Sequence, residues 1–194
     1  MDARWGSIMN YKGLIFDFFG VICTEIAPFW LAERFSPEEA RKIKAEIVGD
    51  ADRGVISQAE MFIKLASLSG GTAERIEAEW LSLAHINREL ADNIVKLKGV
   101  VRLGLLTNAP SPLVRHLLNV NGLSELFDLI VVSSEVKCAK PDRRIYEIVL
   151  GGLALAPADA LMIDDNPENI KGANEVGMAG VVFASNEQLD HELA

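Results

Sequence analysis

Cysteine is scarce in this chain of 194 residues: Cys23 and Cys138 lie far apart and belong to no CxxC or Cys/His cluster. A disulfide framework or a zinc site has no support in that spacing, and reduced thiols in a cytoplasmic protein are the simplest reading. Long apolar runs are also missing. No stretch reaches membrane-spanning length, and Met1–Asn10 has no apolar core of the signal-peptide kind. Basic residues are in deficit, 19 Lys and Arg against 28 Asp and Glu, for a formal net charge of −9. Nonspecific affinity for nucleic acid or anionic membrane is therefore not expected. The same acidity means that an anionic substrate needs a local positive site: a lysine, a helix N-terminus or a metal ion. No internal repeat or low-complexity tract interrupts the chain. The length suits one domain with an insertion, or one domain and a small satellite.

What is present begins with Leu14-Ile15-Phe16-Asp17-Phe18-Phe19-Gly20-Val21, the end of an apolar strand predicted over Tyr11–Phe19. A lone Asp in such a run is costly to bury without a partner, and Gly20 makes a turn easy. From Glu25 onward only helices are expected. Ser36-Pro37-Glu38-Glu39 and Ser57-Gln58-Ala59-Glu60 are capping boxes. The first of these helices is expected to stop at Gly49, and Asp50–Val55 to be a loop. Met61, Phe62, Leu65 and Leu68 fall on one helical face, while Trp30 and Trp80 read as core of this segment. After Gly99 strands and helices alternate, with strands near 101–106, 128–132, 160–163 and 180–184. That alternation predicts an α/β, Rossmann-like parallel sheet with helices on both faces. The expected division is a core of 9–24 and 97–194, a small all-helical cap over 25–96 inserted after the first strand, and an extension over 1–8.

Four polar signals fall at corresponding strand ends: Asp17, Thr107-Asn108, Lys140 and Asp164-Asp165. In a parallel sheet all carboxyl ends share one edge, so the four can converge. Each alone also fits a plainer role. Thr107-Asn108 and Asp164-Asp165 suit helix caps, and Lys140 an exposed charge. Together they outline phosphate chemistry. The carboxylates suit a hard cation such as Mg²⁺, the lysine and hydroxyl suit phosphate oxygens, and one carboxylate can be a nucleophile.

The ordered set resembles the haloacid dehalogenase-like hydrolase superfamily, in the subfamily IA branch whose helical C1-type cap follows the first strand. It rests on Phe16-Asp17-Phe18-Phe19-Gly20-Val21, Leu105-Leu106-Thr107-Asn108, Ala139-Lys140-Pro141-Asp142 and Ile163-Asp164-Asp165-Asn166-Pro167-Glu168-Asn169-Ile170, with Arg53-Gly54-Val55-Ile56-Ser57 resembling the cap loop. The resemblance implies a phosphatase acting on a small phosphorylated metabolite, such as a sugar phosphate, through an aspartyl-phosphate. It implies Asp17 as nucleophile and Lys140 as its charge partner. Thr107 and the backbone at Asn108 would bind the phosphoryl group. Arg53 reads either as a contact to a substrate hydroxyl or second anionic group, or as an exposed loop arginine. Mg²⁺ would be held by Asp17, the Phe19 carbonyl, Asp165 and, through water, Asp164. The cap is expected to hinge near Cys23–Ala27 and Lys98–Gly99.

One position departs from the pattern. Family phosphatases carry a second Asp two residues after the nucleophile, as proton donor; here it is Phe19. Two alternatives follow: a non-catalytic phosphate or metal binder, or a 2-haloacid dehalogenase. Against the latter, Asp164-Asp165 would repel a carboxylate substrate. A two-component receiver domain fails on motif order, since its acidic pair follows the first strand.

Overall fold

The computed structural model describes residue 6 and residues 10–194. The expected extension over residues 1–8 lies, Gly6 apart, outside them. Five parallel strands form one sheet: β1 (Gly13–Phe16), β2 (Arg102–Thr107), β3 (Leu129–Val132), β4 (Ala160–Asp164) and β5 (Ala179–Val182), in the order β3-β2-β1-β4-β5. The chain builds outward from β1 on one side, then crosses back to β4 on the other. The crevice of an open α/β sheet lies at such a reversal, outside the carboxyl ends of the strands. β1 is shorter than its apolar run suggested. Asp17 N–H still reaches Ile163 O (2.9 Å), but the Phe18 carbonyl already accepts the amides of Ile22 and Cys23 in a turn.

Side-chain alternation divides the core. Leu14, Phe16, Leu105 and Ile163 face one apolar cluster, whereas Ile15, Leu106 and Met162 face the other. Between β1 and β2 the chain is helical: α1 (Ala27–Ala32), α2 (Pro37–Ile43), a π-helical stretch Lys44–Val48, α3 (Gly49–Asp52), α4 (Gln58–Ser69), α5 (Ala73–Leu83) and α6 (Arg88–Val95). The remaining helices are α7 (Ser111–Val120), α8 (Ser133–Val136), α9 (Arg143–Leu153), α10 (Pro167–Glu175) and α11 (Asn186–Leu193). α6, α7 and α11 cover the first face, and α9 and α10 the second. No described helix is long and apolar enough to cross a membrane.

Both capping boxes form as read from the sequence: the Ser36 and Ser57 hydroxyls accept from Glu39 N and Glu60 N, and each glutamate returns to the serine amide. The stop at Gly49 does not occur. Gly49 takes ordinary helical angles (φ −62°), and the helix runs through the π stretch to Asp52, with Ala51 buried. The true stop is Gly54, at φ +64°. Leu68, expected inward, is 52% exposed, in the last turn of α4 where the stripe of Met61, Phe62 and Leu65 has ended. Trp30 and Trp80 are core: Phe62 meets Trp80 edge-on at 5.4 Å, and Trp30 lies 6.3 Å from Trp80.

The two crossings between sheet and inserted helices lie side by side. Thr24 N donates to His85 O (3.0 Å), Asn87 N donates to Ile22 O (2.8 Å), and Cys23 bridges antiparallel to Ile86. The second crossing therefore falls at 85–87 rather than at Lys98–Gly99. α6 is held on the sheet side, where its cap Asn87 bonds Asn186 and Arg88 bonds Asn121. A helical pattern alone could not tell a cap helix from a sheet-covering one. α11 went unforeseen because only Leu189 and Leu193 are buried in an otherwise polar segment, capped by Ser185.

Phe62→Ala should lower the unfolding free energy by about 3–5 kcal/mol in urea denaturation. A loss below about 1 kcal/mol would show that the aromatic cluster does not hold the inserted helices together.

Candidate active site

Lys140 is the centre of the site. Its side chain is fully buried, and its ammonium donates to Leu106 O (2.9 Å) and Asp164 Oδ2 (2.6 Å) and pairs with Asp17 Oδ2 (2.9 Å). Three donors thus meet three acceptors, the condition under which a buried ammonium is tolerated. Its backbone is clamped by Asn108, whose amide donates to Lys140 O (2.9 Å) and accepts from Lys140 N (2.8 Å). The Asn108 side chain is therefore occupied in aiming Lys140.

Asp17 follows β1 directly and receives the Phe18 amide at Oδ1 (2.7 Å). Asp164, at the end of β4, accepts from Asn166 N (2.9 Å) and from both approaches of the Asn169 amide (3.0 and 3.1 Å). Asn169 had no role assigned from the sequence. The available signal was a polar side chain on the face of α10 that otherwise buries Ile170 and Ala173. Its own carbonyl accepts from Tyr146 Oη (2.7 Å), which ties α10 to α9. Asp165 is half-buried and pressed against Gly20, where an added Cβ would lie 2.3 Å from the carboxyl carbon. With φ +84° as well, position 20 requires glycine.

Asp17, Asp164 and Asp165 place carboxylate oxygens within 4.8 Å of one another. One lysine cannot balance three carboxylates, and an all-oxygen set of this kind fits a hard divalent cation such as Mg²⁺. The imbalance shows in their acidities. Burial raises Asp17 well above the usual carboxylate range, Lys140 opposes the rise and Asp164 adds to it. Burial also raises Asp165, with Asp164 reinforcing it. For Lys140 burial works against the charge, but Asp17 and Asp164 more than offset it, and the ammonium is held more firmly than usual.

These residues open into a cleft of about 450 Å³ beneath the inserted helices, lined by Asp17, Phe19, Thr107, Asn108 and Asp165 from the sheet and by Glu25, Lys44, Asp52 and Trp80 above. Thr107 is fully buried, and its hydroxyl has no hydrogen-bond partner among the described residues; Trp80 Nε1 is in the same condition. Buried groups left unpaired cost about 1–3 kcal/mol each, so two orphans on one cleft mark a place for a polar ligand. Arg53 does not join them. It is half exposed, and its guanidinium pairs with Asp50 three residues earlier (2.8 Å). The residue of that loop that reaches the cleft is Asp52, missed because its helix was expected to have ended.

A family model described as haloacid dehalogenase-like hydrolase matches residues 11–177. The chain is 39% identical to a phosphoserine phosphatase of Thermus thermophilus over 80 residues, 41% of this chain and 32% of that protein. It is 29% identical to a sesquiterpene phosphatase of Aspergillus oryzae over 176 residues, 89% of each. In three dimensions it is similar to a haloacid dehalogenase-family enzyme of Bacteroides thetaiotaomicron, with a TM-score of 0.80 at 22% identity over 95% of this chain and 99% of the other. That enzyme has also been solved with magnesium and inorganic phosphate (TM-score 0.78, 23% identity, 95% and 100% covered).

Asn169→Ala removes the amide that serves both Asp164 oxygens, and should cost about 1–3 kcal/mol in chemical denaturation. An unchanged midpoint would mean that Asp164 does not need that donor.

Proposed function

This chain belongs to the haloacid dehalogenase-like hydrolase family, and from that premise we propose that it is a phosphomonoester hydrolase using Asp17 as nucleophile. The observation that carries the reading is the ammonium of Lys140 shared between Asp17 and Asp164, with Asp17 lining one cleft together with Thr107, whose hydroxyl has no partner among the described residues. An Asp17 oxygen attacks phosphorus as the ester oxygen leaves, giving an aspartyl-phosphate that water then hydrolyses. Lys140 holds the charge of Asp17 and of the phosphoryl oxygens, and Thr107 donates to one of those oxygens. The work is positioning and charge stabilisation, as phosphoryl transfer demands.

Mg²⁺ would be held by Asp17, the Phe19 carbonyl and Asp165, with Asp164 acting through water, and would neutralise phosphate charge in this acid-rich cleft. Support for Asp165 as the closer ligand is that Asp164 is already committed to Lys140, Asn169 and Asn166 N. The acidic pair argues against a dehalogenase, whose carboxylate substrate it would repel. The substrate class is a small phosphorylated metabolite. A sugar phosphate suits a cleft that offers Glu25, Lys44 and Asp52 to hydroxyl groups. The buried free thiols Cys23 and Cys138 suit a reducing, cytoplasmic setting.

Asp17→Asn should abolish hydrolysis of any phosphate ester, as should chelation of Mg²⁺. Full turnover in either case overturns the mechanism, and phosphate binding without turnover in the native protein would favour a non-catalytic binder. A second outcome needs no activity. Burial makes Asp17 and Asp165 weaker acids in the fold, with pKa values above the usual carboxylate range. Without a cation, stability therefore falls as pH rises from the unfolded carboxylate value toward the raised folded ones. Mg²⁺ competes with those protons. It should raise the melting temperature more at about pH 8 than at about pH 5, and a shift independent of pH would remove the carboxylate site.

A further inference from the structure

Phe19 itself has no proton to give the departing ester oxygen. The opposite wall of the cleft supplies a candidate. Asp52 ends α3 and lines the same cleft as Asp17 and Thr107. Its backbone is fixed there: its carbonyl accepts from Ser133 Oγ, and that hydroxyl in turn accepts from Ala109 N (2.9 Å), two residues past Thr107. Next to it, Gly54 O accepts from Lys137 Nζ (2.5 Å), and a Cβ on Gly54 would lie 2.5 Å from Ser134 O. The loop is thus seated on α8 with glycine at the contact. The Asp52 carboxyl itself has no hydrogen-bond partner among the described residues.

We propose that Asp52, carried on the inserted helices, is the proton donor for the leaving group in place of the residue that Phe19 displaces. As the Asp17 oxygen bonds to phosphorus and the ester P–O bond breaks, the Asp52 carboxyl proton passes to the departing oxygen and gives an alcohol. When water attacks the aspartyl-phosphate, the P–O bond to Asp17 breaks, the proton that the water sheds passes to solvent, and the Asp52 carboxylate regains its own proton from solvent. Asp17 and Asp52 are thereby restored, and phosphate leaves. The proposal rests on the phosphomonoester hydrolase reading above. Its acidity fits: burial pushes Asp52 up to about 8 and Glu25 adds to the rise, whereas Lys44 and Arg53 oppose it. These are the charged groups that face it: Glu25 from the segment before α1, Lys44 from the π stretch and Arg53 from its own turn. Glu25 is the competing donor, since burial raises it too.

The test compares two esters in the presence of Mg²⁺: an alkyl phosphate, which needs its leaving oxygen protonated, and a nitrophenyl phosphate, which does not. Asp52→Asn should lose about 10²–10⁴-fold in kcat on the alkyl ester and stay within about threefold on the aryl ester. Glu25→Gln should show no such split. Adding Phe19→Asp to Asp52→Asn should restore alkyl turnover. In the native enzyme, kcat on the alkyl ester should fall as pH rises through about 8, with no such limb on the aryl ester. That profile decides the matter even if Asp52→Asn does not fold. Equal losses on both esters, a split in Glu25→Gln instead, or identical pH limbs would overturn the assignment. A native enzyme that cleaves neither ester is a different failure, that of the hydrolase reading itself.

Discussion

A buried ammonium shared by two buried carboxylates sets the terms for this fold. Lys140 follows β3 and α8, Asp17 follows β1, and Asp164 ends β4. They meet only because the strand order β3-β2-β1-β4-β5 puts all the carboxyl ends on one edge. Removing one member of such a group leaves the others charged and dry, at a cost of about 3–5 kcal/mol. Sheet topology and site chemistry therefore constrain each other. A one-residue register slip in β4 would turn Asp164 to the other face of the sheet, away from Lys140. Asn108 and Asn169 have meaning in this setting, since each spends its side chain holding a member of the group in place.

The group is also unbalanced. Asp165, the third carboxylate, makes no ion pair among the described residues, and Lys44 opposes the rise of its pKa only weakly. Thr107 Oγ1 and Trp80 Nε1, on opposite walls, find no protein partner among the described residues. A fold normally satisfies such groups. Their collection in one cleft concentrates the unpaired polarity where a cation and a phosphate ester would use it. The apolar clusters around it are buried and carry no such imbalance.

Much of this was legible in the sequence, for reasons that differ by residue. Asp17, Lys140 and the acidic pair stand out because charge inside an apolar strand, or at its end, needs an explanation. Ser36 and Ser57 announce helix starts because capping is local chemistry. The misses share one cause, dependence on contacts distant in the chain. Gly49 reads as a stop, but a buried Ala51 carries the helix on to Asp52, and this decides that Asp52 rather than Arg53 reaches the cleft. α6 has the same periodicity whether it covers the sheet or the inserted helices, so only its bonds to Asn121 and Asn186 assign it. Asn169 is informative only once Asp164 is known to lie beside it.

The paired crossings at 22–24 and 85–87 have a further consequence. Because both tethers leave the sheet domain as hydrogen-bonded neighbours, the helices between them begin and end at a single point. The segment is a cassette. The spacing of β1 and α6 is set by those bonds and not by the number of residues between them, while the seat of Asp52 and Gly54 on α8 fixes the far end of the cassette separately.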